Sequence, residues 1–265
     1  MYDFNYHKPG SLADAAAAIA GAEDGKLIAG GMTLIATMKQ RLAAPSDLVD
    51  LGGISELSGI SVGGGTVTIG AMTTHGAVAA SADVKGAIPA LAELADNIGD
   101  PQVRNRGTIG GSIANNDPAA DYPAALVALG ATVVTNKRQL AADDFFTGLF
   151  ETALEDDEIV TSIQFPVPER AAYMKFANPA SRYAMVGVFV AKGPAGVRVA
   201  VTGAGDGGVF RVAEMESALS GSFSADAISG ISVSPDGLNS DIHASAEYRA
   251  HLISVMAKRA VAAAG

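Results

Sequence analysis

Short apolar runs, each closed by glycine or proline, alternate with helix-spaced apolar positions along the first fifty residues. Pro9-Gly10 breaks the chain, Ser11 with Asp14 three positions on can cap a helix, and the alanine-rich stretch to Ala20 ends at Gly21. Lys26–Ala29 reads as a short buried strand. Met32–Leu42 reads as a helix with Leu34, Met38 and Leu42 four apart on one face, and Pro45 stops it before a second strand at Asp47–Leu51. The pattern predicts a small α/β unit in which a strand passes through Gly30-Gly31 into a helix N-terminus. Unpaired N–H groups and the helix dipole both favour an anion there.

From Leu57 the texture changes. Ile60–Val62 and Thr66–Ala71, joined by Gly63-Gly64-Gly65, predict a hairpin of β-branched strands. Helices are expected at His75–Ala80, Pro89–Ile98 and Asp121–Leu129, and strands at Ala131–Thr135, Arg138–Ala142 and Glu158–Pro166. Pro166-Val167-Pro168 is the best domain boundary. Beyond it, strands are expected at Met185–Lys192 and Gly196–Gly203, and helices at Arg211–Leu219 and Ser245–Ala263. In the last helix Tyr248, Leu252, Val255 and Met256 share one side, with Glu247, Arg249 and Arg259 elsewhere.

Composition narrows the function. With 49% hydrophobic and 17% charged residues the chain is a well-buried globular protein. Glycine supplies 31 of 265 residues, against roughly 7% in average proteins, so close backbone approaches are expected. A net charge of −10 argues against nucleic acid, whose phosphates need clustered Lys and Arg. There is no cysteine, which removes disulfides, thiolate metal sites and cysteine-held iron–sulfur clusters from this chain. The four histidines show no paired metal-ligand spacing, so no metal site is expected. The N-terminus lacks a secretory leader pattern and no apolar run reaches membrane-spanning length, which predicts a cytoplasmic protein without a transmembrane segment.

The chemistry concentrates in Gly99–Asp121, GDPQVRNRGTIGGSIANNDPAAD. Asp100-Pro101 is a rigid start, and Arg104 and Arg106 are either charge partners of a phosphate or solvated and Asp-paired. Gly110-Gly111 reads as a turn whose successive N–H groups point into one concavity. With Gly30-Gly31 as a second such device, the pattern predicts a ligand bearing a diphosphate, gripped from both sides. His75 reads as a loop-ordering histidine in preference to a catalytic base or a point of ligand attachment. Tyr183 reads either as a core aromatic or as a ring beside the ligand.

These residues carry a family resemblance. AGGMTLIATMKQRL (Ala29–Leu42), GAMTTH (Gly70–His75), DPQVRNRGTIGGSIANNDPAADYPAALVALGA (Asp100–Ala131) and SAEYRAHL (Ser245–Leu252) together resemble the FAD-binding medium subunit of molybdenum hydroxylases. The type is the medium chain of aerobic carbon monoxide dehydrogenase, which is similar in architecture to the flavin domain of xanthine dehydrogenase. The resemblance implies an α+β fold: a two-subdomain FAD-binding domain of the PCMH/vanillyl-alcohol-oxidase-like kind at 1–168 (subdomains about 1–52 and 53–168), then a small C-terminal α+β domain with an antiparallel sheet and helices at 169–265. It implies FAD held without a covalent bond. The implied contacts are Leu27, Ile28, Ala29, Gly30, Gly31, Met32, Thr33 and Leu34, then Thr108, Ile109, Gly110, Gly111 and Ser112, with Asp121, Val160 and Lys175 in addition.

It further implies an oxidoreductase subunit active only in complex. The partners would be a large subunit with the molybdenum cofactor and a small subunit with [2Fe-2S] clusters, assembled as a dimer of heterotrimers, a heterohexamer. This chain would pass electrons from the clusters to an external acceptor, with no catalytic side chain of its own. The alternatives are a self-sufficient flavin-dependent oxidase or reductase, and an assembly protein without cofactor. The first motif departs from the AGGHSL common in carbon monoxide dehydrogenases: Thr33 keeps a hydroxyl, while Met32 removes a polar contact. The substrate stays open among carbon monoxide, an aldehyde, a purine and an N-heterocycle.

Overall fold

The computed structural model describes all residues 1–265. The N-terminal unit is a three-stranded parallel sheet of β1 (Asn5–His7), β2 (Gly25–Ile28) and β3 (Asp47–Asp50) in the order β1-β3-β2, with helices α1 (Leu12–Ala20) and α2 (Leu34–Lys39). Ser11 caps α1, its hydroxyl accepting from the Asp14 N–H at 3.2 Å. Helix α2 is shorter at both ends than its apolar spacing suggests. The chain leaves it through Arg41, whose φ of 61° ends helical geometry before Leu42.

The middle of the chain forms a five-stranded antiparallel sheet of β4 (Ile60–Gly63), β5 (Thr66–Gly70), β6 (Thr132–Thr135), β7 (Gln139–Ala141) and, arriving last, a strand at Val160–Pro166 inserted between β5 and β6. Between the outer hairpin and β6 come α3 (His75–Ala80), α4 (Ala82–Ala87), α5 (Pro89–Asp96), α6 (Pro101–Arg106), α7 (Ile109–Asn115) and α8 (Tyr122–Leu129). After β7 a short helix α9 (Ala142–Phe145) leads to the small hairpin β8 (Phe146–Gly148) and β9 (Glu151–Thr152), and the inserted strand is β10. Every residue of α8 is buried, which is why its sequence is apolar all round and not amphipathic.

Past Pro166–Pro168 the chain enters a four-stranded antiparallel sheet, β11 (Arg170–Ala177), β12 (Ala184–Gly193), β13 (Gly196–Thr202) and β14 (Phe210–Arg211), covered by α10 (Ala213–Gly221) and α11 (Ala246–Ala263). One face carries Ala172, Val186, Val188, Val190, Val199 and Val201 against Met215, Leu252, Ile253 and Met256 of the two helices. The other carries Tyr173, Phe189, Ala191 and Ala200, and these join the core that includes α8 and β5. Burial on both faces explains the unbroken apolar run of β12. One continuous core therefore crosses the point where the chain changes sheets. No helix is long and apolar enough to cross a membrane.

Arg249 of α11 does not face solvent as its polar character suggests. It is buried, with Nη1 donating to the carbonyls of Met185 (2.6 Å) and Gly203 (3.0 Å) and Nη2 to Asp241 (2.7 Å). Replacing it leaves two buried carbonyls unpaired, so Arg249→Met is expected to cost about 3 kcal/mol of stability. Chemical denaturation against the exposed control Arg259→Met measures this; equal midpoints would contradict it.

Candidate functional site

A cleft of about 420 Å³ opens where the N-terminal unit, α6–α7 and the loop between β11 and β12 meet. Its first wall is the turn leaving β2. Gly31 has φ 74°, a value that disfavours any side chain. The backbone N–H groups of Gly30, Gly31, Met32, Thr33 and Leu34 make no hydrogen bond within the chain. Five consecutive unbonded donors on a concave wall are a ready anion cradle.

The opposite wall differs from the expected mirror image. Gly110 and Gly111 lie in the first turn of α7, not in a free turn, and Thr108 caps that helix. Their donors are already committed: Ile109 N–H to the Thr73 carbonyl (3.1 Å), Gly110 N–H to the Ala71 carbonyl (2.8 Å), Ser112 N–H to the Thr108 carbonyl (3.0 Å) and Gly111 N–H to Thr108 Oγ1 (3.1 Å). A Cβ on Gly110 would stand 2.6 Å from the Ala71 Cβ, so this glycine serves the approach of α7 to the end of β5. Gly111 faces across the cleft, where a Cβ would meet that of Ala29 at 3.4 Å. The two segments touch most closely at Gly30, whose Cβ would lie 2.0 Å from the Arg106 carbonyl oxygen.

Of the residues expected from sequence, Leu27 to Leu34, Thr108, Gly110, Gly111, Ser112, Asp121 and Val160 line this cleft. Ile109 and Lys175 do not. Ile109 is fully buried in the core, and Lys175 donates its ammonium to Asp121 and to the Asn97 carbonyl, each at 3.0 Å. Arg104 and Arg106 are not on the wall either. Arg104 turns back to the carbonyls of Ile98 and Gly99 (3.2 Å each) and to Asp96 at 3.6 Å. Asp121 is buried and also accepts from the Tyr173 hydroxyl at 2.5 Å; burial pushes its carboxyl up, while the Lys175 ammonium and the Tyr173 hydroxyl pull it down.

Ser181 and Arg182, which carry no motif of their own, stand on the rim with Tyr183, which is half exposed. Asn178 Oδ1 accepts from the N–H groups of Ala180 (2.9 Å) and Ser181 (3.2 Å), an Asx-type hold that the Asn-Pro pair signals in the sequence. His75 forms part of the inner wall, its N–H bonded to the Gly107 carbonyl at 2.9 Å. Its ring lies so close to Gly107 that a Cβ there would be 2.6 Å from Nε2, and Nδ1 is buried without a partner.

A family profile described as the FAD binding domain in molybdopterin dehydrogenase matches residues 2–168. The chain belongs to this family. The flavoprotein is 38% identical to the nicotine 6-hydroxylase medium subunit of Paenarthrobacter nicotinovorans, over 98% of this chain and 96% of that protein. It is 35% identical to the carbon monoxide dehydrogenase medium chain of Hydrogenophaga pseudoflava with the same coverage. Among solved structures, carbon monoxide dehydrogenase from Hydrogenophaga pseudoflava, in a form lacking the Mo-pyranopterin moiety, superposes with a TM-score of 0.89 at 37% identity, over 98% of this chain and 96% of that one. The flavoprotein is thus an oxidoreductase component with the α+β fold of these subunits, and FAD is its cofactor.

The residues present fit that group. The unbonded N–H row suits a pyrophosphate, the apolar side chains of Leu27, Ile28 and Val160 suit aromatic rings, and the Asp121 carboxylate suits a hydroxyl. Burial, and then Arg104, push His75 down to about 4, so its ring is neutral at ordinary pH. A folded-state value below the unfolded one means protonation favours unfolding, and the stability contributed above pH 6.5 is lost as pH falls toward 4. Between pH 7 and pH 5 the wild type is expected to lose about 2 kcal/mol that His75→Asn does not lose. Parallel denaturation curves at both pH values check it; identical losses would contradict it.

Proposed function

We propose that this chain holds FAD, without a covalent bond, in the cleft between the β2 turn and α7. There it serves as the electron-transfer subunit of a multi-subunit molybdenum hydroxylase, passing electrons from a partner's iron–sulfur clusters to an external acceptor. The carrying observation is the row of unbonded donors from Gly30 to Leu34 facing a wall whose own donors are spent. Bound there, FAD supplies the redox chemistry. The chain supplies its placement.

In this reading the Gly30–Leu34 N–H groups take the pyrophosphate oxygens, joined by the hydroxyls of Thr33, Thr108 and Ser112 on the same cleft. Ala29 and Gly111 set the gap between the walls. Asp121 would accept from a hydroxyl of the bound cofactor, and Tyr183 on the rim would limit access to it. Ile109 and Lys175 contribute through packing and through Asp121. No nucleophile or acid–base pair is asked of the side chains.

The partners proposed are a large subunit with the molybdenum cofactor and a small subunit with [2Fe-2S] clusters, in a dimer of heterotrimers in the cytoplasm. Because this chain has no cysteine, the clusters belong to another polypeptide. Its similarity to subunits of enzymes named for nicotine and for carbon monoxide supports a shared electron-transfer part serving different substrates.

Co-purification tests the reading: FAD, molybdenum, iron and two further polypeptides are expected with the natively expressed chain. FAD alone with turnover would instead indicate a self-sufficient oxidase or reductase, and a colourless protein would contradict the reading. In the isolated chain, Gly30→Ala forces the two walls apart and is expected to abolish FAD uptake while far-ultraviolet circular dichroism is retained. Retained flavin absorbance would remove the cradle assignment.

A further inference from the structure

The turn Asp117–Asp121 forms part of the cleft wall, and it is held from behind by the C-terminal sheet. Thr202 Oγ1 of β13 donates to the carbonyl of Ala120 (2.6 Å) with that of Pro118 as a longer shared contact (3.1 Å), and the Gly203 N–H donates to the Pro118 carbonyl at 2.8 Å. From β11, two positions apart on one face, come Tyr173 and Lys175. Tyr173 donates to Asp121 Oδ1 at 2.5 Å and Lys175 to Oδ2 at 3.0 Å. The Tyr173 hydroxyl has a place only because position 187 is glycine: a Cβ there would stand 2.2 Å from it. The Tyr173 ring stacks on Phe189 at 6.0 Å, so its direction is fixed by packing within the sheet.

A carboxylate gripped by two donors from one strand is restrained in orientation, and Asp121 itself lines the cleft. Neither Tyr173 nor Thr202 lines the cleft, so neither reaches a ligand itself. We propose that Tyr173 is a positioning residue for the cofactor: with Thr202 it makes the C-terminal sheet the back support of the FAD site, fixing the Asp121 carboxylate and the turn that carries it. The proposal rests on the reading of the cleft as the FAD site. It adds a role for residues beyond the matched FAD-binding region, which ends at residue 168.

The test is a double-mutant cycle on the full chain, with FAD affinity read by flavin fluorescence and the midpoint potential by spectroelectrochemistry. Tyr173→Phe is expected to weaken FAD binding about tenfold, the scale of one charge-assisted hydrogen bond, and to shift the potential. In an Asp121→Asn background the same change should have no further effect, because the residue acts through Asp121. Equal affinity and potential for Tyr173→Phe and wild type, or effects that simply add in the double variant, would overturn the proposal. A lowered melting temperature with unchanged affinity would also overturn it. Should Tyr173→Phe fail to fold, Thr202→Val serves, since it removes the hydroxyl's hold on Ala120, leaving only the Gly203 N–H on Pro118, with little change of volume; it too must weaken FAD, and unchanged affinity overturns the proposal. A wild-type chain that takes up no FAD defeats the reading of the cleft itself, whereas a wild type that binds FAD beside an equally good Tyr173→Phe defeats only this inference.

Discussion

The contact of Gly30 with the Arg106 carbonyl is the constraint on which the cleft depends. Main chain meets main chain there with no room for a methyl group, the would-be Cβ lying 2.0 Å from the oxygen. That approach fixes the parallel-sheet unit against α6 and α7 and sets the cleft width. It also leaves the turn that follows Gly30 facing inward, with its donors unspent. Unpaired N–H groups gathered on one concave wall favour an acceptor that can reach several of them at once.

The two walls therefore divide the labour. The β2 turn offers donors; α7 offers a stiff, already bonded backing, with its glycines used to come close to Ala71 and Ala29. Behind both, the C-terminal sheet reaches through a shared core to the Asp117–Asp121 turn, so the site draws on each of the three larger sheets. Charge follows the same economy. Arg104 and Arg106 lie off the wall, His75 is neutral, and Asp121 is matched by Lys175, so the charges nearest the cradle are either absent or paired and the turn's own N–H dipoles face the cleft.

Much of this was legible in the order of residues because local signals and tertiary role agree. Ser11 capping α1, Gly31 where φ is positive, and the β-branched hairpin Ile60–Ala71 are local events that sequence reports directly. Helix α6 carries its own start signal in Asp100 as cap and Pro101 at its first position, a pair that also fits a plain rigid turn, so the sequence alone shows only that the chain stiffens there. The Gly110-Gly111 pair suggests a turn because glycine permits turns; the Thr108 cap placed just before it marks a helix start instead. Other features have no local signature. Lys175 meets Asp121 across 54 residues, and Arg249 meets Met185 across 64, so only the folded sheet shows that these charges are buried partners.

Residue-resolved amide hydrogen exchange, with and without FAD, tests the central claim most directly. The N–H groups of Gly30, Gly31, Met32, Thr33 and Leu34 should exchange fast in the free protein and become protected when FAD is added. Those of Gly110, Gly111 and Ser112 should be slow in both states. Protection gained at Gly110 and Gly111 with none at Gly30–Leu34 would contradict the account.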